Sequence, residues 1–384
     1  MSEAKTAAPA RDSTWDIARG IGMALVIYGH FLEPIYPAQP AADKAFLESA
    51  FTQWQWIYSF HMMLFFLVSG AVNLKLPKKA WPDVVRGSLR LLALAWVVHL
   101  LGIVVVFSLG LAPEALTSPW TAAVAVFNPI LQGFLWSVGV LWFLTALCFV
   151  QLLAYVLLRY LPAWSVVLIG MAGTAVVVYF DAPNQFLFRT WMPGLSFFAL
   201  GVLLAQWQVK WPAWLCVPLF VAVYFLAPLN SGCAYTMHDA CARWAGPFGV
   251  RMFGGNYGFL PLFFLTSLAG ALGVVCLSRG LSKFKGAEVF AHMGRKSLDL
   301  FVINGFVATF LPPYIARFDW SWLNPFAYVL VGVVLVAVHL LVQWLLRRPL
   351  AGIDMAALRI ATFLTGLLSP ASREKKESAP GTPS

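Results

Sequence analysis

The sequence predicts an all-α integral membrane protein with about ten transmembrane helices and both termini in the cytoplasm. Hydrophobic residues make up 60% of the 384 residues and charged residues only 11%, whereas a soluble domain has about 45–50% apolar and about 25% charged residues. Apolar stretches of about 18 or more residues recur along the chain, and each is long enough to cross a bilayer. No soluble segment of domain size lies between them.

Ten apolar spans can be counted, with boundaries accurate to several residues. They cover roughly residues 15–34, 57–74, 89–111, 134–158, 163–181, 191–207, 212–230, 257–278, 297–316 and 325–346. We therefore expect a membrane domain over 14–350, between polar tails at 1–13 and 370–384 that have the composition of disordered segments. Segment 351–369 contains Asp354, and we expect it to form a helix in the cytoplasmic interface.

The distribution of lysine and arginine predicts the orientation, because cytoplasmic loops carry an excess of both. With the N-terminus in the cytoplasm, the cytoplasmic segments hold 21 of the 26 basic residues and the external segments hold five. The net charge of +10 is therefore a signal of topology, and nucleic acid is not an expected partner. We therefore expect the protein to lie in the inner membrane of the cell, to cross it several times and to contact membrane lipids.

Cysteines indicate no metal site, since none of them has zinc-ligand spacing with suitable partners. Cys233 and Cys241 share the external loop 231–256. A disulfide between them and a pair of free thiols are both open, because a disulfide requires an oxidising compartment.

Charged and titratable side chains within membrane spans are costly and usually functional. The first span has Arg19 near its cytoplasmic end and His30 in its outer half. Eleven residues of helix bring His30 to about 20° beyond three full turns, so the two side chains lie on one face, about 16 Å apart along the axis. Asp16 precedes Arg19 by three residues, so a pair that holds Arg19 in place and a simple cytoplasmic charge cluster are both open. Glu33 follows His30 at the same spacing.

His61 lies near the outer end of the second span, which enters the membrane from the opposite side. His30 and His61 are therefore expected to meet at one depth, and this depth is the candidate site. For His61 a functional role and a packing role both stay open. His99 and His339 are interpreted as packing or hydrogen-bonding histidines.

Two blocks of sequence carry a family resemblance. The first, residues 11–30, contains a basic residue and a histidine separated by ten residues, here Arg19 and His30. The second, residues 60–70, contains His61. Together they resemble the acyltransferase-3 family of membrane O-acyltransferases, particularly the branch of fucose 4-O-acetylases. Three further blocks resemble the family more weakly. One contains Trp142, and the other two are residues 198–201 and 294–298. Asn304 departs from the family, which often has a histidine there.

The resemblance implies transfer of an acyl group from cytoplasmic acyl-CoA, most simply acetyl-CoA, to a hydroxyl of a carbohydrate or glycan-lipid acceptor. His30 is then the general base. His61 polarises the thioester carbonyl or binds the acceptor, and Glu33 orients the ring of His30 or binds sugar hydroxyls. A covalent acyl-histidine stays open.

The donor is polyanionic, so the expected donor-binding residues lie at cytoplasmic helix ends. Arg19, Arg86 and Arg90 are placed to pair with its phosphates, although positive-inside anchoring explains Arg86 and Arg90 equally well. Asp16 and Trp142 complete this predicted group.

Two other readings stay open. A transporter or flippase of a glycan precursor would also be polytopic, although transporters favour repeated halves and the sequence has no repeat. An inactive relative that binds glycan intermediates is the second, because Asn304 cannot take up a proton.

Overall fold

A computed structural model of the chain describes residues 13–35, 44–110, 118–133, 135–208, 211–230, 249–315, 317–318, 320 and 325–368. Within these residues the fold is helical and has no β-strand. The helices are α1 (Thr14–Leu32), α2 (Lys44–Tyr58), α3 (His61–Val72), α4 (Trp81–Ser108), α5 (Pro119–Gln132), α6 (Trp142–Tyr160), α7 (Ala163–Tyr179), α8 (Phe188–Trp207), α9 (Cys216–Leu226), α10 (Leu260–Leu281), α11 (Glu288–Arg295), α12 (Ser297–Phe310), α13 (Pro312–Ile315), α14 (Pro325–Leu345) and α15 (Arg347–Leu368).

Seven helical stretches within the described residues are long and apolar enough to cross a membrane. They are Ser49–Val72, Trp81–Ser108, Trp136–Tyr160, Gln185–Trp207, Leu260–Leu281, Phe326–Leu345 and Arg347–Leu368. Large apolar side chains stay exposed on the peripheral helices, among them Trp120 on α5, Val176 on α7, Phe225 on α9 and Leu330 on α14. So much exposed apolar surface is a liability in water and is what a helix facing lipid requires. The chain is a multi-pass membrane protein.

Helix α1 lies outside these seven, because Asp16, Arg19 and His30 lower its mean hydropathy. Three shorter apolar helices are Ala163–Tyr179, Ala213–Leu229 and Ser297–Phe310. They and α1 coincide with predicted spans, whereas the count of ten crossings stays a prediction.

The structure differs from the predicted spans in one helix boundary and in one additional helix. The second span begins earlier than residue 57, since α2 and α3 follow each other with a break at Ser59 and Phe60. Helix α5 has no counterpart among the predicted spans. Residues 351–368 are helical as part of α15, and the place of segment 351–369 in the interface stays a prediction. The predicted tails, apart from Ser13, and both Cys233 and Cys241 lie outside the described residues.

Helix α1 is the central element, with contacts to α2, α3, α10, α11, α12 and α14. Its first half packs closely on α11, where a Cβ atom built on Gly20 would lie 1.9 Å from the carbonyl oxygen of Phe290. A Cβ on Gly294 would likewise lie 1.8 Å from the carbonyl oxygen of Asp16. Any side chain at these two positions would separate the helices, so the paired glycines set the distance at which α1 and α11 pack.

Candidate active site

His30 lies in the last turn of α1 and faces α12, the helix that carries Asn304. Its Nδ1 is 3.1 Å from the amide nitrogen of Asn304, which is buried. The oxygen and nitrogen of an amide are assigned from their surroundings, so this contact joins the ring to an amide that can either donate or accept. Asn304 therefore holds one side of the ring of His30, which also has a hydrogen bond to the backbone carbonyl of Val26, one turn earlier on α1.

His61 is the first residue of α3, directly after the break that follows α2. The carbonyl oxygens released by this break are partly satisfied by side chains, since Ser267 donates a 2.6 Å hydrogen bond to the carbonyl of Ser59. His61 Nδ1 lies 2.9 Å from the carbonyl oxygen of Ile57. Because a carbonyl only accepts, Nδ1 carries the hydrogen, and in the neutral ring Nε2 keeps its lone pair. The carbonyl of Ile57 thus fixes the tautomer of His61.

Tyr58, the last residue of α2, stands between the two histidines. Its hydroxyl donates a 3.0 Å hydrogen bond to Oε2 of Glu33, which follows α1 directly. Its ring centroid is 6.2 Å from that of His30 and 4.8 Å from that of His61. The sequence marks Tyr58 only as one of several aromatic residues near the outer boundary, so its place in the site is visible only in three dimensions.

One cavity of about 380 Å³ collects these side chains. Its lining includes His30, Glu33, Tyr58, His61, Trp136, Trp142, Arg251, Phe301 and Thr309. The predicted meeting of the two histidines is therefore found, with Glu33 beside them. Volumes of about 300–1,000 Å³ are usual for small-molecule sites. The lining combines polar side chains with aromatic ones, a composition suited to a sugar or an acyl chain.

The predicted donor-binding residues fall into two groups. Trp142 is buried in the wall of the cavity, at the first position of α6. Asp16 and Arg19 lie near the other end of α1, with Asp16 buried and Arg19 half-buried. Neither is among the described residues that line the cavity. The rise along α1 keeps Arg19 about 16 Å from His30.

Both arginines of α4 already have carboxylate partners. Arg86 lies 2.7 Å from Asp83 on the same helix, and both side chains are exposed. Arg90 binds Asp354 through two atoms, with Nη2 at 2.5 Å from Oδ1 and 2.6 Å from Oδ2, and Nε at 2.8 Å from Oδ1. This bidentate pair ties α4 to α15. A role for Arg90 in donor binding would have to compete with it.

His99 and the cysteines that the structure describes lie outside the lining of the cavity. His99 has Ser137 Oγ at 2.6 Å from Nδ1 and the Val126 carbonyl at 3.3 Å from Nε2, which fits a hydrogen-bonding histidine of the interior. The described residues hold no cluster of three or more His, Cys, Asp or Glu able to bind a metal ion. Cys148, Cys216 and Cys276 are free thiols.

A family model described as an acyltransferase domain, that of the acyltransferase-3 family, matches residues 12–344. This match covers most of the chain and includes every side chain of the cavity. No curated protein sequence and no solved structure has a significant match to the chain.

Proposed function

Since the chain belongs to the acyltransferase-3 family and is a membrane acyltransferase, we propose that it transfers an acyl group, most simply acetyl, from cytoplasmic acyl-CoA to a hydroxyl of a carbohydrate or glycan-lipid acceptor. The observation that carries this proposal is the single cavity that holds His30, His61, Glu33 and Tyr58. It offers two imidazoles for proton transfer, and a carboxylate that is held in place by a phenol. The proposed location is the inner membrane, with fucose-like sugars as the first acceptors to test.

His30 takes up the proton of the acceptor hydroxyl in this proposal. The amide of Asn304 fits this role when its oxygen accepts Nδ1–H, because Nε2 then keeps a lone pair. As Nε2 removes the proton, the hydroxyl oxygen bonds to the thioester carbonyl carbon. The carbon–sulfur bond then breaks, and the imidazolium returns its proton to the departing thiolate. The products are an ester and a free thiol, with His30 restored to its neutral form.

His61 is suited to binding the acceptor. With Nδ1–H committed to the carbonyl of Ile57, its neutral ring presents an acceptor at Nε2 and has no second N–H for a thioester carbonyl. Of the two roles that the sequence left open, the tautomer therefore favours a hydrogen bond from an acceptor hydroxyl. Glu33 supplies two further acceptor oxygens, one of which is oriented by Tyr58.

The donor reaches this cavity from the cytoplasmic end of α1. Arg19 would bind its phosphates, and the extended arm would follow α1 toward His30 over about 16 Å. Trp142 in the cavity wall would contact the acyl end of the donor.

The test uses purified protein in nanodiscs, labelled acetyl-CoA and a panel of glycans that includes fucosides. We expect the label to appear on a glycan through an ester that is cleaved by mild base. Movement of an unmodified glycan across the bilayer without labelling would instead support a transporter. Binding of glycan without either event would identify an inactive relative and would contradict the proposal.

A further inference from the structure

His339 lies on α14, and one of its ring nitrogens has no hydrogen-bond partner within the part of the chain that the structure describes. Nδ1 is 2.7 Å from the carbonyl oxygen of Leu335, one turn earlier on the helix. This nitrogen therefore carries the hydrogen, and Nε2 is an acceptor. The residue is 2% exposed, and Nε2 contacts no donor among the described residues. Buried polar atoms of this kind are nearly always satisfied, frequently by an ordered water molecule.

A second, smaller cavity explains how Nε2 can be satisfied. Its lining includes His30, Asn304 and His339 among apolar side chains such as Ile27 and Leu335. The space in it that the centre of a water molecule can occupy is about 10 Å³. This is close to the space of about 10–15 Å³ that the centre of one water molecule needs. His30 and His339 are the titratable groups among the described residues of the lining. The cavity thus has room for one water molecule and polar partners to hold it.

The amide of Asn304 connects this small cavity to the active site. Its nitrogen, as placed in the structure, lies 3.1 Å from Nδ1 of His30, and Asn304 also lines the small cavity. If the amide oxygen faces His30, it accepts Nδ1–H, and the NH₂ group needs an acceptor elsewhere. If the NH₂ group faces His30, Nδ1 is the acceptor, and Nε2 carries the hydrogen instead. Together with the hydrogen bond between the ring and the backbone carbonyl of Val26, the orientation of this amide therefore helps to determine which nitrogen of His30 is able to take up a proton.

We infer that one water molecule in the small cavity accepts a hydrogen bond from the Asn304 amide and donates one to Nε2 of His339, which makes His339 a positioning residue for His30. Since Nε2 of His339 can only accept, the water directs a hydrogen toward it and offers its oxygen to the NH₂ group. The amide oxygen then faces Nδ1–H of His30. The Nε2 lone pair of His30 is left for the acceptor hydroxyl. Only the catalytic role of this series of hydrogen bonds rests on the proposed function.

The structural half of the inference is tested without any assay of activity. Nitrogen-15 NMR of the histidine-labelled protein in nanodiscs, with His30 assigned by comparison with His30→Gln, reports which ring nitrogen carries hydrogen. We expect the Nδ1–H form of His30 in the wild type. His339→Leu removes the acceptor and should shift His30 toward the Nε2–H form. Finding the Nε2–H form in the wild type would overturn the inference, as would an unchanged signal in His339→Leu.

The kinetic half compares His339→Leu with His339→Gln, whose carbonyl oxygen can still accept from water. An imidazole in the wrong tautomer loses most of its efficiency as a base, so we expect His339→Leu to lower kcat at least tenfold with both KM values unchanged. His339→Gln should recover to within about threefold of the wild type, since an acceptor is restored. His99→Leu, at another buried histidine, is the control and should keep its turnover per folded molecule.

A purely structural role for His339 predicts a different pattern. Both substitutions would then lower the amount of folded protein and leave kcat per folded molecule intact, which would overturn the inference. If His339→Leu does not fold, the wild-type NMR signal and His339→Gln still decide it. If the wild type transfers no acyl group, the proposed function fails, and the tautomer of His30 remains an independent measurement.

Discussion

The hydroxyl of Tyr58 donates a 3.0 Å hydrogen bond to Oε2 of Glu33, and the same phenol ring lies against both His30 and His61. This bond joins the end of α2 to the end of α1. It also orients the carboxylate beside the two imidazoles, where a hydroxyl-rich acceptor would bind. In the proposed function the pair therefore connects the packing of two helices to the binding of the acceptor.

Tyr58→Phe should raise the KM for the acceptor about tenfold and leave donor binding unchanged. The reason is that a hydrogen bond to a charged group contributes about 1.5–3 kcal/mol, and about 1.4 kcal/mol corresponds to a tenfold change. Initial-rate kinetics at saturating donor would measure it. In Tyr58→Phe/Glu33→Ala the tyrosine change should add nothing to the effect of Glu33→Ala, since that change has already removed the bond's acceptor. Additive effects would mean that the two residues act separately.

His30→Ala should lower turnover about 10²–10⁴-fold, as removal of a general base does, while the protein still accumulates and still binds acyl-CoA. Single-turnover rates per folded molecule would measure the loss. His99→Ala is the control and should remain substantially active, because His99 lines neither cavity among the described residues. Retention of more than about a tenth of the wild-type rate in His30→Ala would transfer the role of base to His61, whose Nε2 also has a lone pair.

Arg19→Ala should weaken binding of acyl-CoA more than binding of the acceptor. Arg19 lies near the N-terminal end of α1, about 16 Å from His30 along the helix, where it is placed to bind phosphate. Isothermal titration calorimetry of wild type and variant with a non-hydrolysable acyl-CoA analogue would measure the difference. An unchanged affinity would reduce Arg19 to a residue of topology or folding.

Arg90 and Asp354 allow structural and donor-binding roles to be separated. Both side chains are partly exposed, so their ion pair should contribute about 1 kcal/mol or less to stability. Arg90→Gln and Asp354→Asn should therefore lower the melting temperature by similar small amounts. If Arg90 also binds the donor, Arg90→Gln should weaken acyl-CoA binding, whereas Asp354→Asn, which releases the guanidinium, should not. Equal donor affinities in the two variants would leave Arg90 with the structural role alone.

Ten crossings with both termini in the cytoplasm remain the predicted topology. Reporter fusions beyond Ser369 should report the cytoplasm, and fusions within residues 231–248 should report the outside. An external C-terminus would mean that α15 crosses the membrane, a helix that is long and apolar enough to do so. It would also place Arg90 and Asp354 away from the cytoplasmic surface, since their side chains are in contact.

The sequence alone was enough to predict a membrane protein and to identify His30 and His61 as candidate site residues. Apolar spans can be recognised because the thickness of the hydrocarbon core sets their length, and the excess of basic residues predicts their direction. His30 and His61 stand out because titratable groups are rare in such spans. Arg19 and His30 share a face through helix geometry that is local to one segment.

Only the tertiary structure decided which partners these residues have. Asn304 meets His30 across 274 positions of the chain, and Arg90 meets Asp354 across 264. Neither pair follows from periodicity, because it depends on how α1 packs on α12 and α4 on α15. The break between α2 and α3, directly before His61, was likewise visible only in the structure, since an apolar run has the same pattern whether or not its backbone hydrogen bonds continue.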